Sequence, residues 1–229
     1  MQQLNKEQDY QFQTAVIFSV LRMLKQINPF DTYYEAYLGH LRNAQARKVE
    51  FFDMYILLWE IGALIQPKRI LEIGSRTGIS LCQLLSAYID QSVIEKIVSV
   101  DPHGDGFTSP ALIQRNLKYL GLPWDKVQFC VEKSDTAMPR FIAEGDKFDL
   151  IIVDGDHAKQ TAMSDLQFAA DLIAPNGIIV FDDISPDGCD LLDVWEGWKG
   201  QLLNIEKFDL FEERLEGKGT AWAIAKEQI

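Results

Sequence analysis

Arg69-Ile70-Leu71-Glu72-Ile73-Gly74-Ser75-Arg76-Thr77-Gly78 reads as a short apolar strand that runs into a glycine-rich turn. In an open parallel sheet, ligands sit beyond the carboxyl ends of the strands, so such a turn is where a binding site is expected. Working outward, similar apolar runs recur at 96–101, 127–131, 148–154 and 177–182. Helical patterns separate them near 78–89, 110–120, 136–144, 158–173 and 187–199. Strands alternating with helices predict an α/β fold with a doubly wound, mostly parallel sheet. Beyond the last helix, Phe208 to Arg214 and Thr220 to Ala225 are apolar-rich and flank Gly217-Lys218-Gly219, which predicts an antiparallel hairpin at one edge.

Upstream of Lys68 the grain differs. Phe12, Val16, Ile17, Val20, Leu21 and Leu24, and later Phe51, Met54, Leu57, Leu58 and Ile61, recur at helical spacing. Residues 1–66 are therefore expected to be a helical region, serving as a lid or in oligomer contacts, and residues 67–229 the main domain. Pro29-Phe30-Asp31-Thr32-Tyr33-Tyr34 breaks the helical pattern and reads as a surface connection or part of a lid.

The chain has 229 residues, 47% of them hydrophobic, and a formal charge of −12. With no Lys/Arg block to concentrate a positive field, nucleic acid and anionic membrane are not expected partners. Three cysteines, Cys82, Cys130 and Cys189, have no CxxC spacing and suggest neither a disulfide framework nor a thiolate zinc site. The apolar run Ala15 to Leu21 is cut by Arg22, so neither a targeting segment nor a membrane span is read. A cytoplasmic location is the expectation.

In the turn, Gly74 lets backbone approach a ligand, Gly78 opens the next helix without side-chain bulk, and Glu72 places a carboxylate below. A dinucleotide site asks for glycine at position 76 to admit a pyrophosphate, and this chain has Arg76. Gly217-Lys218-Gly219-Thr220 lacks the upstream glycine and following helix of a phosphate loop. The second strand ends in Asp101, where a carboxylate can accept both hydroxyls of a ribose. These features suit an adenosyl cofactor without a pyrophosphate.

A second polar cluster closes the fourth strand at Asp154-Gly155-Asp156-His157, and the fifth ends in Asp182-Asp183. Neighbouring parallel strands bring these carboxylates to one rim. Carboxylates converging without a Lys or Arg repel one another, and a bound divalent cation relieves the repulsion. All-oxygen donors suit Mg²⁺, Mn²⁺ or Ca²⁺. The simpler account, in which Asp156 caps the next helix and Asp182-Asp183 start a loop, explains one of these aspartates.

Glu72-Ile73-Gly74-Ser75-Arg76-Thr77-Gly78-Ile79-Ser80 resembles the first motif of the catechol-type and macrocin-type O-methyltransferases, which are class I S-adenosylmethionine-dependent enzymes with a Rossmann-like sheet. The likeness implies that Glu72, Gly74, Ser75, Arg76, Gly78 and Ser80 surround the methionine part and that Asp101 holds the ribose. Ser134 falls at the adenine-edge station, although Glu132-Lys133 replaces the usual Gly-Asp lead-in. Asp-Gly-Asp-His followed by Phe-Asp-Asp is similar to the macrocin-type and sugar O-methyltransferase pattern. That implies Mg²⁺ on Asp154, Asp182 and Asp183, with Asp154 also beside the cofactor. The acidic motif is shared with cephalosporin-hydroxylase-type proteins, but no 2-His-1-carboxylate spacing supports iron chemistry.

Methyl transfer to an alcohol needs an oxygen that has begun to lose its proton. Imidazole titrates near neutral pH, so His157 is one candidate base. Asp156 is the other. The expected activity is S-adenosylmethionine- and divalent-metal-dependent O-methylation of a small molecule with a vicinal diol, a sugar or natural product, with a homo-oligomer as one option for its assembly. The alternatives are a catechol or phenylpropanoid acceptor, for which residues 33–37 supply aromatic groups, and a non-catalytic adenosyl-binding scaffold. His40 and His103 show no partner at a telling spacing, and Trp195 and Trp198 are expected to pack, with the acceptor mouth as a second possibility.

Overall fold

The computed structural model describes residues 52–104, 108–186, 189–199, 205–210 and 219–226. Its elements are α1 (Phe52–Leu64), β1 (Arg69–Ile73), α2 (Ile79–Ser86), β2 (Lys96–Val100), α3 (Pro110–Tyr119), β3 (Val127–Cys130), α4 (Ser134–Glu144), β4 (Phe148–Val153), α5 (Lys159–Leu172), β5 (Ile173–Phe181), α6 (Leu192–Lys199), β6 (Ile205–Leu210) and β7 (Ala221–Ala225). The strands form one sheet in the order β3-β2-β1-β4-β5-β7-β6. The first five run parallel, and β7 pairs antiparallel with both β5 and β6.

Alternating side chains sort the sheet into two cores, as the period of two demands. Ile70, Leu150, Ile152, Ile178 and Val180 point to a core shared with α1, α2 and α3, through Leu58, Leu84 and Ile113 among others. Leu71, Ile151, Val153, Ile179 and Phe181 point to the opposite core, shared with α4, α5 and α6 through Phe141, Leu166 and Trp195. Both faces are covered, which is why the central strands read as continuous apolar runs.

Local chemistry sets the helix ends. The Ser109 hydroxyl accepts the Leu112 N–H at 3.2 Å and Pro110 occupies the first turn of α3, while Gly145 closes α4 in a left-handed conformation. Several boundaries differ from expectation, those of β5 and β6 among them. Strand β5 begins at Ile173 rather than Gly177, because 173–176 continues the strand beside Phe148 through an irregular register, with Asn176 at φ 61°. Strand β6 begins at Ile205 rather than Phe208, and β7, not β6, is the member of the hairpin that joins β5. The expected residues 211–214 and the connecting Gly217-Lys218 lie outside the described residues, as do 1–51 with their helical and aromatic readings. Helix α6 begins at Leu192 rather than 187: residues 189–191 are not helical, and 187–188 lie outside the described residues. No helix among the described residues is long and apolar enough to cross a membrane.

Strand order reverses between β1 and β4, so their carboxyl ends open a crevice at the topological switch point. Both polar clusters lie there.

Candidate active site

The turn after β1 is pinned to its neighbours by backbone hydrogen bonds. Gly74 N–H donates to Val100 O at 2.9 Å, and Asp154 N–H donates to Ile73 O at 2.9 Å. Gly74 adopts φ 88°, and a Cβ there would lie 1.8 Å from the Asp154 carbonyl oxygen. Only glycine fits where the two loops cross. Gly78 is also left-handed, at φ 75°, and packs on Ile113 of α3.

Glu72 lies on the β1 face beneath α2 and is fully buried. The Ser80 hydroxyl donates to its Oε1. Burial pushes the Glu72 carboxyl up to about 7, against the pull of hydrogen bonds from Ser80 and Ser75. Ser75 is itself tied down, its hydroxyl accepting from Ser99 at 2.7 Å. Arg76 is exposed, and its backbone N–H donates to Asp101 Oδ2 at 2.8 Å. His103 N–H donates to Asp101 Oδ1 at 2.7 Å. Two N–H groups thus fix the Asp101 carboxylate in place, and the remaining lone pairs, of about four on a carboxylate, can accept further donors.

His103, which carried no partner in the sequence, sits against Asp101 with Nδ1 3.5 Å from Oδ1 and 3.2 Å from the Thr108 hydroxyl. Its only sequence signal is position, two residues past the strand end. Ser134 is buried at the first turn of α4, and its hydroxyl bonds to Asp165 of α5. Asp165 also escaped the sequence reading, because a lone aspartate inside a helical pattern looks solvated. It is 1% exposed, its Oδ1 has no hydrogen-bond partner, and burial pushes its carboxyl up to about 6.

The fold brings Asp154, Asp182 and Asp183 together, with one carboxylate oxygen from each within 4.8 Å of the others. Asp182 and Asp183 are buried and Asp154 half-buried. The Thr220 hydroxyl donates to Asp182 Oδ1 at 2.7 Å, so the turn into β7 orients one member. Asp183 adopts φ 63°, a conformation that redirects its side chain to the same rim. Three carboxylate oxygens on one rim fit a hard divalent cation in both donor type and spacing. Asp154, Gly155, Asp156, His157, Asp165, Asp182 and Asp183 line a shallow open recess with four apolar neighbours.

The two base candidates separate. His157 Nε2 lies 2.9 Å from Asp183 Oδ2, with the ring partly exposed. Asp156 is exposed and accepts from Ala158 N–H at 3.1 Å and from the Thr161 hydroxyl at 3.4 Å, holding the entry to α5. Trp195 and Trp198 are fully buried, 4.9 Å apart between ring centroids, and Trp195 stacks on Phe181. They belong to the core and do not line the acceptor mouth.

Residues 71–184 match the model of a family described as methyltransferase domain. No curated protein matches the chain. Among solved structures, the chain is similar to a cofactor-bound protein from MTB (22% identity, 85% of this chain and 91% of that one, TM-score 0.61). It is also similar to an O-methyltransferase from Bacillus cereus in complex with SAH (16% identity, 90% and 91%, TM-score 0.62). A third is the O-methyltransferase TomG from Streptomyces achromogenes, involved in tomaymycin synthesis and bound to SAM (17% identity, 88% and 98%, TM-score 0.57). At these identities the structures speak for the fold, and the family match covers both polar clusters. The chain is a class I S-adenosylmethionine-dependent methyltransferase that resembles the O-methyltransferases.

Proposed function

We propose that this methyltransferase acts on a hydroxyl of a small molecule bearing a vicinal diol, a sugar or natural product, with a divalent cation held by Asp154, Asp182 and Asp183. The observation that carries the reading is the convergence of those three carboxylates beside His157 at the switch point. When bound, a hard cation lowers the pKa of the substrate oxygens it contacts and aims one of them.

The chain's own residues supply the rest. The turn at Gly74 and Ser80 would hold the methionine part, with Glu72 buried beneath, and Asp101 would hold the ribose. With its proton on Nε2, the nitrogen 2.9 Å from Asp183 Oδ2, a neutral His157 ring keeps its Nδ1 lone pair, which accepts the acceptor hydroxyl's proton as the oxygen attacks. Asp183 would orient the base as well as hold the cation. Asp156, engaged with the start of α5, is the weaker candidate. A net charge of −12 suits a neutral or cationic acceptor better than a nucleic acid.

Asp154→Asn and Asp182→Asn are expected to lose methyl transfer while binding SAH within several-fold of the parent by calorimetry. Methyl transfer that persists in both variants contradicts the assignment and leaves catalysis to proximity alone.

A further inference from the structure

We propose that His157, Asp183 and Cys189 form a second metal-binding set, selective for a thiophilic divalent cation such as Zn²⁺, and that filling it switches the enzyme off. One donor atom from each of the three lies within 4.8 Å of the others, and His157 Nε2 and Asp183 Oδ2 are already 2.9 Å apart. Bonds of about 2.0 to 2.3 Å in a tetrahedral site place ligand atoms roughly 3.3 to 3.8 Å apart, a spacing that small side-chain adjustments reach from a cluster already this tight. Cys189 is half-buried and His157 is exposed, which gives an ion a path from solvent.

The two sets differ in kind. Asp154, Asp182 and Asp183 offer oxygen alone, which suits a hard cation. A sulfur, an imidazole nitrogen and one oxygen make a borderline-soft set that favours zinc over magnesium. They share Asp183, so an ion in the second set competes for a carboxylate of the first.

Inhibition follows from the tautomer, and this part rests on His157 being the base. A cation on Nε2 moves the ring proton to Nδ1, and the lone pair that receives the acceptor's proton is gone. The cysteine therefore gives the active site a zinc-sensitive state with no change of fold.

Co²⁺ reports the site independently of activity, because a thiolate ligand gives a near-ultraviolet charge-transfer band. The metal-stripped full-length protein titrated with Co²⁺ is expected to develop that band, and Cys189→Ser and His157→Ala to lose it. Asp154→Asn is expected to keep it. In methyl-transfer assays at fixed Mg²⁺, Zn²⁺ is expected to inhibit the parent, and Cys189→Ser to raise the inhibitory midpoint by at least about tenfold. No band in the parent, a band that survives in Cys189→Ser, or equal zinc sensitivity of the two proteins overturns the proposal. A cysteine-dependent band in a protein whose activity ignores Mg²⁺ supports the sulfur-containing site while overturning the reading of the oxygen set.

Discussion

Single residues at the rim have separable tasks, and substitution distinguishes them. His157 faces Asp183 at 2.9 Å, whereas both oxygens of Asp156 are engaged with the start of α5. His157→Ala is therefore expected to slow single-turnover methyl transfer by about 10² to 10⁴, the usual worth of a positioned base. Asp156→Asn is expected to cost less than about tenfold, because an amide oxygen still accepts the Ala158 N–H. The reverse order in rapid-quench measurements would move the base to Asp156. Most of these residues were legible because strand ends announce themselves: a buried apolar run that stops in Asp-Gly-Asp-His is visible without coordinates. Asp165 and His103 were not, since their importance comes from burial against residues 31 positions or two positions away, and sequence spacing carries no record of burial.

Elements couple the two halves of the site. The turns after β1 and β4 cross so closely that a Gly74 Cβ would lie 1.8 Å from Asp154 O. Gly74→Ala must push the two loops apart and also holds alanine at φ 88°, a region L-residues avoid. Calorimetry on this variant should show SAH affinity and Mg²⁺ affinity falling together, each by more than about tenfold. Unchanged SAH binding would mean that the crossing does not transmit. Thr220 makes a gentler probe. Thr220→Val removes the 2.7 Å hydrogen bond to Asp182, and the expected result is weaker Mg²⁺ binding with SAH binding kept. At this scale the sequence placed the parallel strands well and the edge less well. Hydrophobic runs mark central strands, but the start of β5 depends on an irregular pairing with β4, and the placing of β7 inside β6 depends on long-range hydrogen bonding.

Across the whole molecule, buried carboxyl groups link stability to pH. Glu72 has its folded pKa raised from 4.5 to about 7, so between those values the native state holds a proton that the unfolded chain has released. Its contribution is complete below pH 4.5 and is lost as pH rises through about 7. The size is on the order of 3 kcal/mol by linkage. Asp165, raised to about 6, adds in the same direction. Urea denaturation of the cofactor-free protein should show the parent losing stability from pH 5 to 8 relative to Glu72→Gln, and parallel profiles would contradict the raised pKa. The cost is one the fold bears beneath the Gly74 turn, where a fully buried carboxyl runs against local preference.

The proposed chemistry depends on the carboxylate rim working through a divalent cation. Metal-stripped protein with S-adenosylmethionine and a panel of vicinal-diol acceptors, read by the mass gain of one methyl group, tests that directly. Methylation is expected to be absent in EDTA and restored by Mg²⁺, with Asp182→Asn silent under both conditions. A methylated product formed at the same rate in EDTA as in Mg²⁺ would contradict it.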